Sequence, residues 1–367
     1  MLDPLPPPPQ WLRSYTEPWA AYLNLPTLSE HIHEVIGAFV VYQIIHSVVS
    51  PILSARLFPS IYPNFNARTK LNWDVHVVSL VQSVLINAVA LWVMFADQER
   101  KAMNAGERVY GYTGGCGLVQ ALAAGYFVYD LIVSTVHLKI FGIGMLFHAV
   151  SALWVFSLGF RPFINFYAPT FILYELSSPF LNIHWFLDKV NMTGSKAQWY
   201  NGMTLLVVFF SCRIVWGTWQ SVYVYQDMWT ALQHTWSASK SSLLEPINIS
   251  SSVFQERNGT LCVDETCARA NAEISKFVHH TADGIPLWLV MTYVASNLTL
   301  HALNYYWFSK MIETVLKRFR EPSAKKVDVP DIVLDAAASL EEEEGRFEKT
   351  TSAVNTADNE ELRRRKA

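Results

Sequence analysis

Apolar residues run in long stretches separated by short polar connections. Seven stretches, roughly 32–53, 71–96, 114–138, 140–158, 163–186, 200–229 and 285–308, reach the ~20 residues that a tilted helix needs to cross a bilayer. No single soluble core absorbs so many, so the pattern predicts an all-α membrane protein of about seven transmembrane helices. The fifth stretch is the weakest, because Pro169 and Pro179 interrupt it and it carries Glu175, Asn182 and His184. A kinked span is the expected outcome there, with a re-entrant segment as the competing one.

Composition sharpens this picture at the two ends. Hydrophobic residues make up 51% of the 367 residues and charged residues only 16%, and a third of the charge falls after Arg320. The body is therefore charge-poor, while 311–367, with its acidic run Glu341 to Glu344, is expected to be a disordered cytosolic tail. Its final Arg363-Arg364-Arg365-Lys366 is read as a solvated charge run. Residues 1–30 hold a proline run and no basic stretch ahead of an apolar core, which speaks against a cleaved signal peptide. The organisation expected is an N-terminal segment 1–30, a first helix and loop 31–70, a main bundle 71–310 with an insertion 230–284, and the tail. A net charge of −3 with no basic stripe excludes a nucleic-acid partner.

Lys and Arg near span ends set orientation. A cytosolic C-terminus gathers Arg56, Arg68, Lys70, Lys139, Lys189, Lys196, Lys310, Lys317, Arg318 and Arg320 inside, against Arg13, Arg100, Lys101, Arg108 and Arg161 outside. An odd number of spans then leaves the N-terminus lumenal. The insertion carries sequons at Asn248 and Asn258, which need the lumen to be glycosylated, and Cys262 and Cys267, which could close a local disulfide on that oxidising side. The sequons at Asn191 and Asn297 fall on the cytosolic side and within a span, and are read as chance matches.

Polar residues inside the spans recur at helical spacing. Tyr126, Asp130, Ser134 and His137 share one face of the third span, and His76, Ser79, Ser83 and Asn87 one face of the second. Gln43, His46 and Ser50 mark the first, Glu175, Ser178 and Asn182 the fifth, and Asn297, His301 and Asn304 the seventh. Such stripes suit either a polar cavity or interhelical hydrogen bonding, and for a single Ser or Asn the second is the commoner. Asp130, Glu175 and Arg213 differ, because a stranded charge in the membrane is costly. Arg213 is expected to pair with Glu175 or Asp130. A structural ion pair and a lipid-headgroup site are equally compatible with this trio.

No soluble-enzyme signature is present: no His-Glu-x-x-His, Cys-x-x-Cys, Gly-x-Ser-x-Gly or phosphate loop. No cofactor or metal is expected. His31 and His33 at i and i+2 point to different sides of a helix and make a poor metal pair, so both are read as interfacial. Gly114-Gly115-Cys116-Gly117 reads as a small-residue start to a span. Trp11, Trp19, Tyr110, Tyr112, Trp199, Tyr200 and Trp229 fit an interfacial aromatic belt.

Gly125-Tyr126-Phe127-Val128-Tyr129-Asp130, then His148, then Glu175-Leu176-Ser177-Ser178-Pro179-Phe180-Leu181-Asn182-Ile183-His184-Trp185 resemble the TLC-domain family of endoplasmic-reticulum lipid proteins, from about Leu71 to Trp229. The match is to its smaller, transmembrane-protein-like branch rather than to ceramide synthases. The resemblance implies a bundle of six helices around a lipid-sized cavity and a part in lipid synthesis, sensing or trafficking. Ceramide synthases carry adjacent histidines where this chain has Phe147-His148, and two further aspartates where it has Glu175 and Ser178. The branch usually has Arg where His184 stands. The reading is a lipid-handling or lipid-sensing protein of membrane homeostasis, with Tyr126, Asp130, His137, Glu175, Ser178, Asn182, His184, Arg213 and His301 lining its polar interior. The alternative is an acyl-CoA-dependent acyltransferase in which His148 acts as general base or acyl acceptor, Glu175 orients it and Arg213 engages a phosphate or carboxylate. A scaffold or cargo receptor is the third class.

Overall fold

A computed structural model describes residues 1–241, 253, 273–281 and 284–320, and its regular structure is helical throughout. Five helices are long and apolar enough to cross a membrane: Leu28–Leu57, Ala67–Ala96, Ala105–Val136, Leu138–Leu158 and Lys196–Ser237. The fifth stretch is kinked, as expected, into α9 (Ala168–Ile172), a 3-10 turn (Leu173–Ser177) and α10 (Ser178–Lys189). Pro179 occupies the first turn of α10, where its missing N–H costs nothing. The seventh forms one continuous helix, α13 (Leu287–Arg320). It is long enough to span, but its polar stripe holds it below the apolarity of the five. The sequence count of seven thus resolves into five apolar helices, one broken segment and one long, more polar helix. Asn248, Asn258, Cys262, Cys267 and the tail beyond Arg320 lie outside the described residues.

The helices are inside-out relative to a soluble protein. In α2 (Leu28–Ile44), which continues through a π turn (Ile45–Val49) into α3 (Ser50–Leu57), the buried face carries Ser29, His31, Glu34, Ala38 and Tyr42. Val40, Val41, Ile44, Val48 and Ile52 point outward. That arrangement is stable only where the surroundings are as apolar as lipid tails, and it places the chain in a membrane. Trp11, Trp19, Trp199, Tyr200 and Trp229 are likewise exposed, whereas Tyr110 and Tyr112 belong to the interior instead of the belt.

At the centre lies α7 (Gly114–Val136), flanked by α2, α4 (Ala67–Ala96) and α8 (Leu138–Leu158). Small residues make that close packing possible, since without solvent exclusion helices associate through tight backbone approach. A Cβ on Gly125 would sit 2.5 Å from the Val35 carbonyl oxygen, one on Gly117 2.3 Å from His31 Nε2, and one on Gly114 2.1 Å from the Asp3 nitrogen. The glycine-rich start of α7 is therefore a seat for α2 and for the N-terminal segment. Within α8, Gly142 has φ +73°, a left-handed conformation that sets the kink between the His137 corner and the rest of the helix. Thr113 caps α7, Asn66 caps α4 and Ser195 caps α11 (Lys196–Phe209), each side chain accepting from the first turn.

Candidate functional site

Two breaks in regular helix meet in the interior. One is the 3-10 turn that carries Glu175. The other is the π turn Phe210–Trp216, which joins α11 to α12 (Gly217–Ser241) and carries Arg213. Single π turns inside α-helices recur at functional positions, because they re-aim side chains.

Arg213 and Glu175 are both buried. The guanidinium spreads its donors over four acceptors: Nε to Ser177 Oγ at 2.9 Å, Nη1 to Asn304 Oδ1 at 3.1 Å, and Nη2 to Ser178 Oγ at 3.1 Å and Glu175 Oε1 at 3.4 Å. Ser178 donates in turn to Glu175 Oε2 at 2.8 Å, and the Phe209 ring lies 5.1 Å from the guanidinium carbon. Glu175 is thus the acidic partner of Arg213. Asp130 makes no ion pair with it among the described residues. Asp130 is nonetheless buried on α7 within electrostatic reach of Glu175, and Tyr126 is within reach of both carboxylates.

His148 on α8 lies within electrostatic range of Glu175 and Arg213, with its ring 5.7 Å from Trp307 and 6.4 Å from Phe127. Phe147 beside it points outward and is exposed. Glu175 and Arg213 therefore pair in an apolar bundle, with Asp130 and His148 within electrostatic range of them.

The other expected residues fall into separate groups. His301 Nε2 lies 2.7 Å from Ser221 Oγ, and Asn297 Oδ1 accepts from Ser221 and Tyr225 at 3.0 and 2.6 Å. Asn182 joins His76 Nδ1 at 2.7 Å and donates to Ser79 Oγ at 3.0 Å, while the His76 ring stacks on Trp185. His184 is buried against Gly202, and His137 sits at the α7–α8 corner.

Three clusters escaped the sequence reading. Arg108 and Asp227 form a bidentate pair, Nε to Oδ2 at 2.6 Å and Nη2 to Oδ1 at 2.7 Å, with the Tyr167 hydroxyl donating to Oδ2 at 2.5 Å. Tyr167 also lines a pocket with Gln120, Phe156, Phe171 and Tyr293. Asp74 accepts from Ser50 at 2.6 Å and from Tyr62. His31, expected at the interface, is fully buried, facing Glu34, Asp3 and Tyr112. An acid inside a span with no basic residue one turn away was the signal available for Asp227, whereas Lys70 one turn before Asp74 masks that acid as an ordinary helix pair. For Asp3, 28 residues from His31 and amid prolines, there was none.

The TLC domain matches residues 72–313. An uncharacterized TLC domain-containing protein of Schizosaccharomyces pombe is 35% identical over 315 residues, covering 86% of this chain and 89% of its own. Topoisomerase I damage affected protein 4 of Saccharomyces cerevisiae is 27% identical over 305 residues, covering 81% and 89%. Human protein CLN8 is 28% identical over 193 residues, half of this chain and 62% of its own. No solved structure matches. The domain match covers most of the helical body, and the chain belongs to the TLC-domain family.

Proposed function

We propose that the chain binds a membrane lipid at the Glu175–Arg213 centre and serves lipid handling or sensing in the endoplasmic reticulum. The observation that carries this reading is the buried Arg213, whose donors are divided among four acceptors instead of saturating one carboxylate. A guanidinium held in that way keeps affinity for an anionic or hydroxylated headgroup, because exchanging neutral Ser or Asn oxygens for a charged one strengthens the hydrogen bond about twofold. Asp130 and His148 supply further polar contacts, and the apolar bundle accepts acyl chains.

One specific observation favours acyl transfer as a second reading: His148 is within electrostatic range of Glu175, so an imidazole and a carboxylate occupy the same part of the bundle. Against turnover of the ceramide-synthase kind stands Phe147, directed outward where a second imidazole would be needed. General acid–base assistance contributes about 10² to 10⁴ in rate, and one histidine cannot both activate an amine and hold the acyl group. The full chain in nanodiscs, given a sphingoid base and long-chain acyl-CoA, is expected to form no ceramide above background, and native mass spectrometry of the detergent-purified protein is expected to retain a lipid that Arg213→Leu releases. Ceramide formation abolished by His148→Ala would promote the second reading. A protein without bound lipid, and without acyl transfer, would point to a scaffold or cargo receptor.

Topology belongs to the same proposal: a lumenal N-terminus, a lumenal glycosylated segment around Asn248 and Asn258, and a cytosolic tail. Glycosidase digestion and protease protection of intact microsomes are expected to shift the glycoform and remove only the tail. A protected tail with a cleaved loop would invert the assignment.

A further inference from the structure

His31 and Glu34 stand at i and i+3 on α2 and therefore share one helix face. Both are enclosed, at 0% and 4% exposure, because Gly117 leaves room for the imidazole and Gly114 and Gly115 let the N-terminal segment lie across the start of α7. That segment delivers Asp3. His31 Nδ1 ends up 2.7 Å from Glu34 Oε2 and 3.2 Å from Asp3 Oδ2, and the three ligand atoms lie within 4.8 Å of one another. We propose that Asp3, His31 and Glu34 form a zinc site.

The donor count carries the argument. Nδ1 holds at most one proton and so satisfies one of the two carboxylates that face it. Leu5 N–H occupies Asp3 Oδ1 at 2.9 Å, but Glu34 Oε1 is buried without a hydrogen-bond partner. Among the described residues no Lys or Arg pairs with Asp3 or Glu34, and nearby Lys276 is committed to Glu30 at 2.8 Å and Glu273 at 3.4 Å. Glu34 is buried, Asp3 keeps 24% of its side chain exposed, and His33 Nε2 stands 3.8 Å from Glu34 Oε1 without hydrogen-bonding to it. Two carboxylates on one imidazole nitrogen leave negative charge that a divalent cation cancels. A proton shared between Asp3 and Glu34 is the competing arrangement.

The ligand chemistry selects the ion. One nitrogen and two carboxylate oxygens suit zinc, whose bonds of about 2.0–2.2 Å place tetrahedral ligand atoms about 3.3 Å apart. The observed 2.7 and 3.2 Å need only small side-chain adjustments to open to that spacing. Calcium and magnesium prefer oxygen-only shells. His31 Nε2 sits 2.5 Å from the Tyr112 hydroxyl, which fixes the ring and leaves Nδ1 as the metal-facing nitrogen, as an outer partner does in known zinc sites. The ligands all precede the TLC domain, so this site is independent of the lipid reading.

The test uses the full chain, purified in detergent without a histidine tag, stripped by chelator and titrated with ZnCl2 and CoCl2. One equivalent of Zn²⁺ is expected, with cobalt giving the visible absorption of a four-coordinate site. Tyr112→Phe, which leaves every ligand in place, is expected to weaken Zn²⁺ about 10- to 100-fold, and Asp3→Asn at least as much, while the exposed Glu17→Gln changes nothing. If Asp3→Asn does not fold, Tyr112→Phe carries the comparison alone. Absence of stoichiometric metal would establish the shared proton, and binding equal in wild type and both variants would mean an adventitious ion only. Either result overturns the proposal.

Discussion

Among the described residues two arginine–carboxylate pairs tie this bundle together, one part-exposed and one buried, and they are built differently. Arg108 meets Asp227 through two short parallel bonds, with Tyr167 adding a third to the same carboxylate. Arg213 meets Glu175 by a single 3.4 Å contact and gives its other donors to Ser177, Ser178 and Asn304. The first pair is geometrically saturated and ties the start of the α6–α7 segment (α6, Ala105–Tyr110) to α12. The second is spread over helix breaks. A saturated pair has nothing left to offer a ligand, whereas a distributed one exchanges neutral partners at small cost. The same two residue types thus make a strap at one place and a candidate binding centre at the other.

The largest effect is expected where no water can compensate. Arg213→Leu strands Glu175, and leaving one buried charge uncompensated costs about 3–5 kcal/mol. The double variant with Glu175→Leu is expected to recover most of that loss, because an apolar replacement of a buried pair is close to neutral. Pairing with Asp130→Leu should recover far less, since Asp130 makes no contact with the guanidinium. Thermal melts in detergent over the two cycles decide the matter, and additive losses for Arg213 with Glu175 would reject the pairing.

Asp227→Ala comes second. Arg108 keeps 27% of its side chain exposed against 6% for Asp227, so the released guanidinium regains hydration and the loss is expected at about 2–3 kcal/mol. Lipid retained in native mass spectra should be unchanged. Release of the lipid by Asp227→Ala, with the fold intact, would move the binding centre to the pocket that Tyr167 lines.

Much of this was legible from the chain. The helical, membrane-embedded character follows from apolar length, which overcounts the five uniformly apolar helices by two, and Pro169 with Pro179 marks the broken fifth segment. That Arg213 pairs with Glu175 or Asp130 follows from scarcity, since a membrane arginine needs an acid and few are at hand, and only the fold decides for Glu175. Scarcity cannot identify Ser177 and Asn304 as the remaining acceptors, because that depends on where a π turn and a 3-10 turn aim their side chains. Arg108 was hidden for another reason: a basic residue near a span end looks like a topology signal, and only the fold brings Asp227, 119 residues later, to it. The His31 reading failed because helix periodicity covers one helix at a time. His31 and His33 do diverge, but the partners of His31 come from Glu34 one turn on and from the N-terminal segment.

The smallest effect concerns single hydroxyls and tests the difference between the pairs most directly. Ser178→Ala removes a donor to Glu175 and an acceptor from Arg213 and is expected to cost about 1 kcal/mol, a typical net hydrogen bond. Tyr167→Phe removes one of three donors to a charged carboxylate and should cost about 1.5 kcal/mol, the low end for such a bond because solvent reaches Arg108. The coupling energies separate the two sites further. Without Ser178, Arg213 Nη2 has only Glu175 within reach, so the Arg213–Glu175 coupling measured by double-mutant cycle should rise in the Ser178→Ala background. Without the Tyr167 hydroxyl, Arg108 and Asp227 still share two short bonds, and their coupling should stay within about 0.5 kcal/mol of its original value. A fall in the Arg213–Glu175 coupling on losing Ser178 would mean that the serine bridges the pair instead of dividing it, and the centre would then be as closed to ligands as the strap.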